Sequence, residues 1–252
     1  MMMKKLRLVS VVCCLLALGI GVSWGESRLE GIMRRGELVI ALADFENRPF
    51  FFEEDGQLQG LDVDLGKLIA QEIGVKPRFI RLSWDGLIAL SWYSSYPWKQ
   101  YDLAIATITI RPSRSRACSF SECYFYTGQK LLVRKGAGFE TAMDLEGKSV
   151  AVLAGSTGYE TAKSDLAAQT VIVDSPEALV QALLAGEVDA VLSDATIVDL
   201  AAKNDPDLVA MDGMITTERY GVVMPKDAQD LKPLVDKVIV EKRRGLYEKW
   251  FK

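Results

Sequence analysis

Short blocks centred on apolar residues recur along the chain at 38–42, 78–82, 103–106, 129–134, 149–153, 188–192 and 220–224. Between them lie stretches with helical spacing. The clearest covers 61–73, with apolar residues at 61, 65, 68, 69 and 73 and Gly74 just past its end. That is the pattern of an amphipathic helix closed by a glycine. A shorter amphipathic helix is expected over 26–35, ended by Gly36. Further helices should start after Ser83, a side-chain cap, and at Pro176 behind Ser175. Helices beyond Asp227 close the chain. Asp55-Gly56 marks a tight turn. Strands interleaved with helices predict an α/β fold.

The block at 103–106 leads into the most informative chemistry. It follows the charged Asp102 as an unbroken apolar run, which suits a strand covered on both faces. The run breaks into Thr107, Thr109, Arg111, Pro112, Ser113 and Arg114, and Pro112 ends any ladder pairing. Hydroxyls and guanidinium groups then gather past the carboxyl end of a buried strand, where open α/β sheets bind ligands. A guanidinium beside a threonine hydroxyl suits a carboxylate held by two parallel hydrogen bonds. A solvated basic loop would carry the same residues.

Residues 1–25 bear on where the chain works. Lys4, Lys5 and Arg7 precede an apolar core at 8–22, and Ser23 and Gly25 are small residues before Glu26. This reads as a secretory signal peptide cut ahead of Glu26, which predicts a soluble periplasmic product. The apolar run is short for a membrane span. Cys13 and Cys14 lie inside it, and neither follows the small residue that a lipoprotein site needs. Losing the three basic residues takes the net charge from −4 to −7, which argues against nucleic acid as a partner.

The 252 residues suffice for one large domain or two smaller ones. The chain has no histidine, which removes Ser-His-Asp triads and most catalytic zinc sites. No glycine-rich phosphate loop is present, so neither cofactor nor metal is expected. Cys118 and Cys123 could bridge through a tight turn or stay as two buried thiols, and both readings are open.

Residues 102–114 resemble the D-x-x-x-x-G-x-T-I-T-x-E-R signature of bacterial periplasmic binding proteins for polar amino acids (solute-binding protein family 3). The departures are Thr107 for a small Gly or Ser, Arg111 for Thr, and Ser113 for Glu. The resemblance runs on in order to the carboxyl terminus. Asp44 to Phe50 matches a D-x-x-x-x-P-F ligand loop. Gly60-Leu61-Asp62-Val63-Asp64-Leu65 matches G-F-D-V-D-L. The ending Gly245 to Phe251 matches a compressed G-x-Y-x-x-x-x-K-W-F.

This likeness implies two α/β lobes joined by two crossing strands. Lobe one would take 26–128 and 223–252, and lobe two 129–222. A cleft between them would close on an L-amino acid. Thr109 and Arg114 would hold its α-carboxylate, with Arg111 a second candidate. Thr107 stands at the small-residue position. Thr157, in the Gly155-Ser156-Thr157-Gly158 loop at a helix start, would complete the clamp from lobe two. Asp194 would hold the α-ammonium. Asp44 would touch the ligand side chain, and Trp84 would stack on it. Asn47 takes the place of a second stacking aromatic, which Phe45 could supply from a shifted position. Asp62 and Asp64 read as solvated acids favourable to the helix dipole.

The implied function is capture of a polar or cationic L-amino acid by a monomer that delivers it to the membrane permease of an ABC importer. Periplasmic cyclohexadienyl dehydratases share the same features and are the enzyme alternative. Their general acid, a Glu two positions after the lobe-two Thr, falls here on Tyr159, while Glu160 is one residue away. A one-residue helix step turns a side chain by about 100°, so Glu160 should point elsewhere. A ligand sensor for a signalling receptor is a third reading. The aromatic stretch 92–98 is either a partner surface or a cover for the sheet edge.

Overall fold

The structure is a computed structural model and describes residues 27–89 and 98–252. The signal peptide expected at 1–25 and residues 92–97 of the aromatic stretch lie outside the described residues. In order, the elements are α1 (Arg28–Arg35), β1 (Glu37–Ala43), β2 (Phe52–Glu54), β3 (Gln57–Gln59), α2 (Leu61–Ile73), β4 (Lys76–Leu82), α3 (Trp84–Ala89), β5 (Leu103–Ala104) and β6 (Ser119–Thr127). They continue with β7 (Gln129–Arg134), β8 (Ser149–Leu153), α4 (Thr157–Ser164), β9 (Gln169–Val173), α5 (Pro176–Leu184), β10 (Ala190–Asp194), α6 (Ala195–Asn204), β11 (Leu208–Ala210), β12 (Glu218–Met224) and α7 (Lys232–Phe251).

Two five-stranded sheets carry the two lobes, in the orders β4-β1-β5-β12-β6 and β11-β7-β10-β8-β9. In the first, β4, β1 and β5 run parallel, while β12 lies antiparallel to β5 and β6. The second repeats the plan, with β9, β8 and β10 parallel and β7 antiparallel to β10 and β11. Alternation within its strands covers both faces. Leu132, Ala151 and Val191 feed one core, and Leu131, Val133, Val150, Val152 and Leu192 feed the other.

The chain leaves the first sheet after Thr127 and returns to it at Glu218. The boundary expected at 222/223 therefore falls inside β12, which pairs with β6 from its first residue. The two crossing segments touch. A Cβ on Gly128 would run into the carbonyl of Thr216, so only glycine fits there. Phe251 of α7 packs on Phe50 and Phe125, with ring centroids 5.6 and 4.7 Å apart. This ties the carboxyl end to the first lobe.

Two expectations change. The strand expected over 103–106 is hydrogen-bonded as a ladder only at Leu103–Ala104, although all four residues are buried. Ile105 N–H still donates to Ala41 O, and the chain then turns at Thr107, which takes a left-handed backbone, φ 50°. Asp62 is not a solvated acid but is fully buried under that turn. Asp64 is half-buried as well, and its Oδ2 accepts from Lys249 Nζ at 2.6 Å and Trp250 Nε1 at 3.0 Å. Cys118 and Cys123 are both buried free thiols.

Candidate functional site

The carboxyl ends of β1, β5, β8 and β10 converge between the lobes, because both sheets point their parallel strands at the cleft. A small cavity of about 20 Å³ lies there. Seven of the eight residues expected at the site line it: Asn47, Trp84, Thr107, Thr109, Arg114, Thr157 and Asp194. Phe45 also lines it, as the shifted aromatic. Asp44 does not. Its N–H donates to Leu82 O and prolongs the β1–β4 pairing by one residue. Its side chain is exposed and faces the outer cleft with Asp85 and Asp174.

Arg114 opens a 3-10 turn after Pro112 and is buried. Its Nη1 donates to Thr109 O and its Nη2 to Gly155 O on the opposite lobe, both at 3.1 Å. Burial lowers its pKa, and the carboxylates of Glu160, Glu218 and Asp194 oppose that shift. Two donors are spent on carbonyls, and a guanidinium has five, so others remain for a ligand carboxylate. Trp84 Nε1 donates to Ala154 O across the cleft at 2.8 Å. Its ring lies 5.9 Å from that of Phe45. Asn47 Nδ2 donates to Thr107 Oγ1 at 3.2 Å, while Asn47 Oδ1 is buried without a partner.

On the second lobe, Ser156 caps α4 by accepting from Tyr159 N–H. This sets Thr157 at the helix start facing the cavity. Asp194 ends β10 and accepts from Gln129 Nε2 at 2.5 Å. Burial, with the Glu218 carboxylate adding to it, pushes the Asp194 carboxyl up to about 6. Opposite charges, Arg114 and Asp194, thus line one cavity between the lobes, an arrangement suited to a zwitterion.

Beneath the wall, Asp62 holds the strained turn. Thr107 N–H reaches Asp62 Oδ2 at 3.3 Å and the Tyr124 hydroxyl at 3.2 Å. Burial raises the Asp62 carboxyl to about 7, against hydrogen bonds from Tyr124 and Thr107.

Arg111 is not in the cavity. It forms an ion pair with Glu160 across the cleft at 2.8 Å. This accounts for both residues, and neither Glu160 nor Tyr159 lines the cavity. Sequence reasoning missed Gln129, Leu153, Ser156, Ser193 and Ile197 on the wall, and Glu218 behind it. A polar residue opening an otherwise apolar strand was the available signal for Gln129.

Two α/β lobes with a polar cavity between them define the class of two-lobed binding proteins. The model of the bacterial extracellular solute-binding proteins, family 3, matches residues 39–252, and the chain belongs to that family. The L-cystine-binding protein TcyJ of Escherichia coli K12 is 30% identical over 236 residues, covering 90% of this chain and 86% of TcyJ. A mutant of arginine-bound ArgBP from T. maritima is 35% identical with a TM-score of 0.75, covering 84% of this chain and all but 1% of its own. The ancestral amino acid-binding protein AncCDT-1, a precursor of cyclohexadienyl dehydratase, is 32% identical with a TM-score of 0.80, covering 90% of this chain and 100% of its own. The chain is a solute-binding protein of an amino-acid-binding, extracytoplasmic family.

Proposed function

We propose that this protein captures a cationic L-amino acid, with L-arginine the first candidate, outside the cytoplasm and delivers it as a monomer to an ABC permease. The observation that carries the reading is the presence of Arg114 and Asp194 on the wall of one interlobe cavity. A bound zwitterion would set its carboxylate against Arg114 and its ammonium against Asp194. With Glu218 directly behind the wall, the acids outnumber the guanidinium. A neutral amino acid leaves that excess uncompensated, and a cationic side chain cancels it. The unpartnered Asn47 Oδ1 also favours a ligand rich in N–H donors. The Phe45 and Trp84 rings suit a guanidinium or ammonium face. The signal-peptide pattern at 1–25 supports export with cleavage ahead of Glu26. The Arg111–Glu160 pair weighs against dehydratase chemistry, since it keeps the nearest acid of that loop off the cavity.

The test is isothermal titration of refolded mature protein with the common L-amino acids, prephenate and arogenate. Arginine or lysine should bind well ahead of leucine and phenylalanine. The Arg114→Ala variant should lose roughly 2–5 kcal/mol of binding, about 30- to several-thousand-fold. Unchanged affinity in that variant sinks the assignment of Arg114. Binding of prephenate or arogenate alone, with turnover, moves the protein to the dehydratases.

A further inference from the structure

Glu218 opens β12 where the chain re-enters the first lobe, and it is buried. Its Oε2 accepts from Thr109 Oγ1 at 2.7 Å and from Thr157 Oγ1 at 3.0 Å. Its Oε1 accepts from Thr216 Oγ1 at 3.0 Å. One carboxylate thus gathers a hydroxyl from each lobe and a third from the crossing segment. It is not part of the cavity wall, whereas Thr109 and Thr157 are.

The direction of these bonds follows from chemistry. An ionised carboxylate only accepts, and a hydroxyl has one proton to give. The far side of Thr157 is fixed as well, because Gln129 Nε2 donates to its Oγ1 at 3.1 Å. Thr216 Oγ1 likewise accepts from Gln129 N–H at 2.9 Å. Their protons therefore have Glu218 as their acceptor, and Thr109 meets the same carboxylate. The lone pairs of Thr109 and Thr157 are what remain for the cavity.

We infer that Glu218 is a positioning residue that sets the hydroxyl polarity of the pocket, turning Thr109 and Thr157 into acceptors for a ligand ammonium. The inference rests on the proposed amino-acid ligand, and it reassigns the two threonines. As donors to Glu218 they have no proton left for a ligand carboxylate, whose binding then falls to Arg114. Gln129 Nε2 bridges Thr157 and Asp194. The Thr157 oxygen and the Asp194 carboxylate are thereby held as neighbours on the ammonium side.

Glu218→Gln tests this. The amide removes the negative charge that holds both threonine protons on Oε2, so the Thr109 and Thr157 hydroxyls become free to turn and donate into the cavity. Titration calorimetry with L-arginine and with 5-guanidinopentanoic acid, which lacks the α-amine, gives the factor by which the ammonium improves affinity. That factor should shrink roughly tenfold in Glu218→Gln, as charge-oriented acceptors are lost. Glu218→Asp, which keeps the carboxylate, should hold the wild-type factor even where overall affinity drops. An unchanged factor in Glu218→Gln, with both ligands weakened alike, makes Glu218 merely structural and overturns the inference. If the wild-type protein binds no arginine, the proposed ligand fails, and neutron diffraction of the ligand-free protein decides separately. Deuterons of Thr109 and Thr157 on the Glu218 side uphold the inference, and deuterons directed into the cavity refute it.

Discussion

Replacing Asp62 by asparagine should change how the stability of this protein depends on pH. The carboxyl is fully buried beneath Thr107 and sits at about 7, against an ordinary 3.8. The groups that meet it are the Tyr124 hydroxyl and the Thr107 N–H, both neutral. Its Oδ1 has no partner. Burial is therefore the dominant cause, and it disfavours the charged form. The folded pKa is raised, so the folded state holds this proton more tightly than the unfolded state does. The resulting stability is complete below about pH 4 and is lost as pH rises through 7. A difference of this size is worth about 4 kcal/mol once ionisation is complete, of which about 3 kcal/mol disappears between pH 4 and 7.

Asparagine has nearly the same shape, keeps an acceptor for Thr107 N–H, and does not titrate. Urea unfolding of both proteins at pH 4, 5.5 and 7 isolates the effect. Wild type should lose about 3 kcal/mol relative to Asp62→Asn across that range, with m-values unchanged. In thermal melts the gap should move by roughly 6–12 °C for a chain of this size. Asp194, pushed up to about 6 by burial and by Glu218, contributes in the same direction in both proteins and cancels in the comparison. Parallel stability curves for the two proteins would show that Asp62 ionises freely in the fold, and the account of the buried turn would be wrong.

Closure and the cross-cleft contacts give two further expectations. Gly155 has φ +59°, and a Cβ there would collide with Ile88 Cδ1 on the other lobe. Gly155→Ala should lower ligand affinity at least tenfold in calorimetry while costing only about 1–2 kcal/mol of stability in urea; intact affinity would mean that the bound form does not close this way. The Arg111–Glu160 pair is more than a third exposed at both ends. A double-mutant cycle on ligand affinity should give a coupling of about 0.2–1 kcal/mol that shrinks with added salt, and zero coupling at low salt would remove it from the closed state.

The legible part of this site lies where a strand ends. Thr107, Thr109 and Arg114 follow an apolar run at 103–106, Thr157 opens a helix behind a serine cap, and Asp194 closes another apolar run. These are local signals, and strand ends in such sheets point at the cleft. Asp44 had the same signal. It misses the cavity because the β1–β4 pairing continues one residue past Ala43 and carries its side chain to the exposed side. Asp62 carried a misleading signal. An acid in the first turn of a helix belongs in water by rule, and only the fold of 105–109 over that turn buries it.

Glu218 had no signal at all. It lies in a polar stretch ahead of an apolar strand and belongs to no repeating pattern. Its position is defined by partners 109 and 61 residues away in sequence. The same holds for the closing contacts. Trp84 and Arg114 reach over to carbonyl oxygens of Ala154 and Gly155, and a main-chain acceptor has no residue identity to read. What fixes these contacts in the chain is space. A glycine at 155 lets the second lobe's turn come up to Ile88, and a glycine at 128 lets the two crossing segments lie side by side, so that Thr216 and Gln129 meet Glu218 and Thr157. Residue types therefore announce the groups that could face a ligand, whereas the wiring that decides which of those groups donate and which accept depends on a close approach that only the folded chain contains.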